Sequence, residues 1–359
     1  MTSVPSEQAL EGGAARVPLP GRALVPVLGG LAFLLVAALF GLLVGPVHIG
    51  VGAVARSALS HVPFLGVHSS LSDVDSAIIW ELRAPRVVLA MLVGGMLALA
   101  GGAYQGVFRN PLVDPYLLGV AAGAGLGATL AIAYGGAGVR SYDLLPLAAF
   151  LGAALGVMLS YVLGQAASGG RSTASLVLAG VTVVAFLTAV QTFVQQQNSE
   201  SLQEVYSWIL GSLATSGWHD VALVAPYIVV SSVVILLCGR LLDVLSVGDE
   251  EAATLGVNVG RIRLAVVVAA TVGTAAAVAV SGLIAFVGII VPHAIRLAIG
   301  TSYRIVLPLS LLVGAGFLVL ADVLARTVVA PAELPIGVVT AFFGAPFFAV
   351  LLRTTRSFT

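Results

Sequence analysis

Long apolar runs, most of them close to the thickness of a bilayer, recur along the chain and are parted by short polar breaks. About 20 apolar residues carry a helix across the hydrocarbon core. Ten runs meet or approach that length: residues 24–44, 86–107, 115–134, 144–165, 174–195, 221–242, 263–280, 283–299, 305–325 and 336–352. The pattern predicts an all-α polytopic membrane protein. Residues 1–22 read as an N-terminal tail, 23–353 as the transmembrane domain and 354–359 as a C-terminal tail. The first run is too long for a signal-peptide core and lacks a clear cleavage site, so it reads as a span. Residues 45–85 form a long outer segment with His48, His61, His68, Asp73 and Asp75. Around Ser281 and Gly282 two spans meet with almost no loop.

Composition sharpens this picture. Of 359 residues, 59% are hydrophobic and only 9% charged, whereas a soluble domain carries about 25% charged residues. Cys238 is the single cysteine, so neither a disulfide framework nor a thiolate metal site is available. Every side-chain cation is arginine. With the N-terminus inside, eleven of these arginines fall on the inner side and five on the outer, as the positive-inside rule requires. An even number of spans then puts both termini in the cytoplasm. Glycine (42 residues) clusters within the spans, at Gly94-Gly95, Gly101-Gly102, Gly123/Gly127 and Gly152/Gly156. Such residues let membrane helices pack closely.

One polar island stands out between apolar segments, residues 248–261, GDEEAATLGVNVGR. Asp249, Glu250 and Glu251 suit the first turn of a short helix. Ala252, Leu255 and Val257 follow, and Gly256 and Gly260 are expected to break it. Held on the cytoplasmic side between two spans, this segment reads either as a solvated loop or as a docking element for a soluble partner. Arg83, Arg86 and Arg326 sit on the outer side against the charge bias. Asp322–Arg326 at i,i+4 gives one structural explanation; the alternative is that the outer arginines receive carboxylates of a partner. Arg109-Asn110-Pro111-Leu112 with Asp114-Pro115 predicts a tight inner turn where Asn110 and Leu112 could line a constriction. Ser172 and Thr173 read as a helix cap. Gln191, Thr192 and Gln195 place amides and a hydroxyl in or near hydrocarbon, which favours a water-filled path. The outer histidines, His219 included, match no compact metal motif, and His293 at an inner helix end reads as structural.

Absences exclude further classes. No GxxxxGK[ST] loop is present, so the chain does not drive itself with ATP. No acidic residue reads as securely mid-membrane, which disfavours an ion-coupled secondary transporter. A polytopic enzyme would need a nucleophile or metal cluster at the membrane surface, and none is evident. A permease energised by a separate cytoplasmic subunit fits best; a passive channel is the alternative from another class.

Arg83-Ala84-Pro85-Arg86, Gln105, Arg109-Asn110-Pro111-Leu112, Trp208 with Gly211-Ser212, and Leu255-Gly256-Val257 resemble the iron-chelate and cobalamin permease (FecCD) family. So do Phe286-Val287-Gly288 with Val291-Pro292-His293, Ala321-Asp322 with Ala325-Arg326, and Glu333-Leu334-Pro335-Ile336-Gly337. The resemblance runs from about residue 80 to the C-terminus. It implies a type II ABC importer permease of ten helices. As partners it implies a second permease subunit (a homodimer or a related paralogue), two cytoplasmic ATPase subunits and an extracytoplasmic substrate-binding protein. ATP and Mg would bind the ATPase; no cofactor, metal or nucleic acid is implied for this chain. It further implies coupling to the ATPase through residues 248–260 and binding-protein docking at Arg83, Arg86 and Arg326. Gates are implied at Asn110/Leu112 and Ser172/Thr173, where Ala174 replaces a second hydroxyl residue of the cobalamin permease. The expected cargo is an iron-siderophore complex, with haem or cobalamin next.

Overall fold

The computed structural model describes residues 20–47, 49–60, 71–135, 144–168, 173–214 and 217–355; among them no strand occurs. His48, His61, His68 and Ser172 lie outside the described residues. The first helix, α1 (Pro20–Leu43), is followed by α2 (Val51–Ser60) and α3 (Asp73–Ala77) in the stretch expected as an outer segment. α3 passes through a π-turn (Ile78–Arg83) directly into α4 (Ala84–Phe108), so the second helical run begins well before Arg86. Pro85 explains the π-turn. It has no N–H and its ring crowds the carbonyl four residues back, so the turn widens and the Ala84 N–H reaches Ile79 O.

The remaining helices are α5 (Val120–Tyr134), α6 (Leu144–Ser168), α7 (Thr173–Gln197), α8 (Leu202–Ile209), α9 (Trp218–Leu237) and α10 (Gly239–Leu245). After them come α11 (Asp249–Thr254), α12 (Val259–Ser281), α13 (Val287–Ile299), α14 (Tyr303–Thr327) and α15 (Ile336–Thr355). Seven described helices are long and apolar enough to cross a membrane: α1, the α3–α4 run, α6, α7, α9, α12 and α14. Three expected spans instead hold shorter apolar helices, in α5, α13 and residues Ile336–Val350 of α15.

α4 is the central helix. It packs against α9, α12, α13 and α14 and is buried along nearly its whole length. Its glycines are the reason it can be. A methyl on Gly94 would overlap the Gly314 carbonyl of α14, and one on Gly101 would overlap the Gly288 carbonyl of α13. Backbones touch there because no side chain intervenes.

Several expected boundaries move. The helix expected over 221–242 breaks at Cys238, and α10 turns away to bury Leu242 and Leu245. Asp243 of α10 then accepts from Tyr303 N–H at 2.6 Å and from Ser302 Oγ at 2.9 Å, satisfying the start of α14. The span expected from Leu283 becomes helical at Val287. Gly256 does end α11, with φ +77°, but Gly260 breaks nothing. It lies inside α12, whose start is fixed by Asn258 Oδ1 accepting Arg261 N–H at 3.1 Å.

Candidate functional site

Polar groups gather at the two ends of α4. At the outer end, Arg86 donates to both oxygens of Asp322 (2.9 and 3.1 Å) and to both oxygens of Glu333 (2.9 Å each). Asp322 also lies 3.5 Å from Arg326 Nε. The i,i+4 pair legible in the sequence therefore exists, but Arg86 holds the shorter share of Asp322. Arg83 turns the other way, donating to the Leu42 and Leu43 carbonyls (3.0 and 3.1 Å) and to Val47 O. Arg326 donates to Gly41 O. The unpaired carbonyls that end α1 thus receive two guanidinium groups, which also complement the helix dipole. Arg83, Arg86 and Arg326 are buried (4%, 9% and 3% exposed) and engaged within the chain, so a partner carboxylate would reach one of them only by displacing an internal acceptor. Their placement is set by low dielectric: a buried cation must find acceptors.

At the inner end the chain turns back into the protein. Arg109 ends α4 in the left-handed conformation (φ +49°), and Asn110 Oδ1 accepts Leu112 N–H at 3.0 Å to make a tight turn. Asn110 and Leu112 are exposed there. Residues 113–119 then climb beside α4. Asp114 caps the short 3₁₀ turn Pro115–Leu118 by accepting Tyr116 N–H at 2.8 Å. A methyl on Gly288 would lie 3.1 Å from Asp114 Oδ2 and 3.0 Å from Leu97 O. Leu97 is about three turns above the inner end of α4. Asp114, which the sequence placed in a surface turn, is consequently a buried acidic residue beside α4 and α13. Its Oδ2 faces Gly288 in the first turn of α13.

The irregular stretch 282–286 before α13 meets this loop. Tyr116 Oη donates to Ile284 O at 3.0 Å and accepts Ile284 N–H at 3.1 Å. Nearby, Gln105 Nε2 donates to Gly288 O at 3.1 Å, Arg296 donates to Gln105 Oε1, and the Arg296 guanidinium stacks 5.3 Å from the Tyr303 ring centre. Non-helical backbone is tolerated at membrane depth only where protein satisfies it. Tyr116 does that here, while Gln105 takes a helical carbonyl, that of Gly288, which Pro292 four residues on has no N–H to pair. Neither residue was singled out for this role from sequence.

Along α7 the polar residues separate. Gln191 is buried, its amide against Gly125 of α5. Thr192 is exposed, its hydroxyl donating to Thr188 O at 2.9 Å; Gln195 is half-buried. Thr182, Thr188 and Gln196 share the exposed face with Thr192. Thr173 opens α7.

The polar island holds α11 with Asp249, Glu250 and Glu251 in its first turn. Ala252 is fully buried, while Leu255 is 70% exposed just beyond the helix and Gly256 is exposed beside it. Val257 N–H returns to Ala252 O at 3.2 Å. Asp249 joins α11 to the rest, through Arg263 Nη2 at 3.1 Å and Arg109 Nη2 at 3.1 Å.

A close-packed bundle of apolar helices, two of whose connections leave helical geometry inside the packing, defines a multi-pass membrane protein. The FecCD transport family model matches residues 33–354, and the chain belongs to that family. It is 40% identical over 327 residues to the ABC transporter permease protein YvrB of Bacillus subtilis, covering 90% of this chain and 92% of that one. It is 43% identical to the cobalamin import system permease protein BtuC of Halobacterium salinarum, over 78% of this chain and 74% of that relative. It is 38% identical to the Fe(3+)-citrate import system permease protein YfmD of Bacillus subtilis, over 90% and 94%. A solved structure described as an inward-facing metal-chelate type ABC transporter superposes with a TM-score of 0.79 at 31% identity, covering 91% of this chain and 98% of that chain.

Proposed function

We propose that this permease subunit pairs with a second one, identical or paralogous, to enclose a path along the exposed face of α7. Two ATPase subunits sit beneath α11 and a substrate-binding protein sits above the outer end of α4. The cargo is a ferric siderophore. ATP and Mg act on the ATPase, whose movement of α11 opens and closes an inner mouth formed by Asn110, Leu112, Ser172 and Thr173. Thr192 and Gln195 border the path; Gln191 braces α7 against α5. The observation that carries the coupling reading is α11 itself: a short acidic-headed helix anchored by Ala252 and Asp249, with Leu255 left 70% exposed. Glu250, Glu251, Gly256 and Val257 complete that surface. Docking at the outer end takes place at the rim marked by Glu333, where a partner carboxylate reaches Arg86 by displacing Glu333, while Arg83 and Arg326 shape the rim by holding α1.

Replacing Leu255 with arginine is expected to leave the protein folded and to lower uptake per ATP hydrolysed in proteoliposomes holding the whole complex. Normal uptake in that variant would remove α11 from the coupling role. The siderophore assignment is supported by the relative named for Fe(3+)-citrate import and the solved metal-chelate type transporter. The 43% identity to a cobalamin permease supports cobalamin as the second reading. Uptake of radio-iron-loaded siderophore, labelled haem and labelled cobalamin by cells lacking the gene distinguishes them. Selective loss of siderophore uptake is expected; loss of haem or cobalamin uptake alone would overturn the cargo.

A further inference from the structure

One carboxylate joins the cytoplasmic helix to the loop at the inner mouth. Asp249 Oδ1 accepts Arg109 Nη2 at 3.1 Å, and Oδ2 accepts Arg263 Nη2 at the same distance. Arg263 belongs to α12, which follows α11 in the chain. Arg109 belongs to a different part of the molecule, the last residue before the Asn110–Leu112 turn.

The backbone at Arg109 is fixed. Its N–H bonds Gly106 O at 3.4 Å, the Asn110 N–H bonds Gln105 O at 3.2 Å, and its φ of +49° sets the direction in which the chain leaves α4. A pull on the Arg109 side chain therefore acts on the backbone that starts the turn. Among the described residues, the polar side-chain contacts from α11 to other helices run through Asp249. The Arg109–Asp249 pair is also half-exposed (40% and 38% for the two side chains). An exposed pair of this kind contributes little to folding, so it can be removed without losing the protein.

We infer that Asp249 is a positioning residue which, through Arg109, ties displacement of α11 to movement of the 109–114 loop. The inference rests on the reading of α11 as the ATPase-facing helix and of Asn110 and Leu112 as part of the inner mouth. It makes Arg109 more than an inner-side cation: its guanidinium is the link between the element that receives the energy and the loop that moves.

The test uses the assembled transporter in proteoliposomes. Cys238→Ser removes the single cysteine, and Leu112→Cys then reports the inner mouth through labelling by a membrane-impermeant maleimide, with and without ATP and vanadate. The parent is expected to change its labelling rate with nucleotide. Adding Arg109→Gln is expected to shrink that change by about fivefold, within the range seen for residues that carry coupling. Uptake per ATP hydrolysed should fall with it, while the ATPase still co-purifies. Arg109→Lys, which keeps a cation for Asp249, should restore most of both. A nucleotide response that survives Arg109→Gln, or is lost equally with Arg109→Lys, would overturn the link and leave the inner mouth standing. No nucleotide response in the parent would overturn the inner-mouth reading, and the link with it.

Discussion

Arg86 places a full guanidinium fork on two carboxylates, and those two are not equivalent. The Asp322 side chain is 2% exposed and the Glu333 side chain 35%. Removing one partner of a buried pair leaves an unpaired charge in low dielectric and costs about 3–5 kcal/mol, whereas an exposed pair contributes about 1 kcal/mol or less. Arg86→Ala is therefore expected to lower the thermal unfolding temperature in detergent far more than Glu333→Gln. Equal shifts would mean that the Asp322 arm carries no special weight. The sequence made the Asp322–Arg326 spacing visible because both residues share one helix. It could not show that Arg86, 236 positions away in the chain, takes the shorter contacts. Nor could it show that Arg83 and Arg326 serve the carbonyls of α1, since backbone acceptors have no letter of their own.

Among the elements, the segments that resisted sequence reading are the two that leave helical geometry at depth. Residues 113–119 and 282–286 are apolar enough to look like the starts of spans, and hydropathy does not register that their amides need outside partners. The Tyr116 hydroxyl supplies one donor and one acceptor to Ile284. Tyr116→Phe leaves both backbone groups of Ile284 without that partner, and an unsatisfied buried group costs about 1–3 kcal/mol. The variant is expected to unfold at lower temperature and to exchange the amide of Ile284 faster. Unchanged exchange there would show that another group satisfies the break. The bend at Cys238 was missed for a related reason: α9 and α10 are both apolar on their buried sides, and the turn is chosen by Asp243 reaching the start of α14.

For the whole molecule, the proposed shared path rests on α7. It buries Leu176, Val183, Leu187, Gln191 and Val194 against its own chain and leaves Thr182, Thr188, Thr192 and Gln196 on the opposite face. The threonine hydroxyls at 182 and 192 satisfy themselves on the preceding turn, so hydrocarbon tolerates them; the Gln196 amide suits water or another chain better. If two subunits share a path there, Thr192→Cys in a Cys238→Ser background should cross-link between copies on mild oxidation. A control away from α7, Val230→Cys on the exposed side of α9, should not. Cross-linking at the control alone would move the subunit interface away from α7.

Sequence by itself determined the all-helical membrane class and where most of the apolar segments lie, because these depend on transfer free energies that simply add along the chain. It also marked the glycine pairs as packing sites, the acidic-headed helix at 249–254 and the two ends of α4 as polar. Tertiary structure alone decided which partner each polar group meets. That choice gave Arg83, Arg86 and Arg326 acceptors inside the chain, carried Asp114 beside the first turn of α13, and joined Asp249 to Arg109. The physical reason is common to all of them: in a low-dielectric interior a charge or an amide takes the nearest acceptor in space, and nearness in space is set by helix packing across the chain.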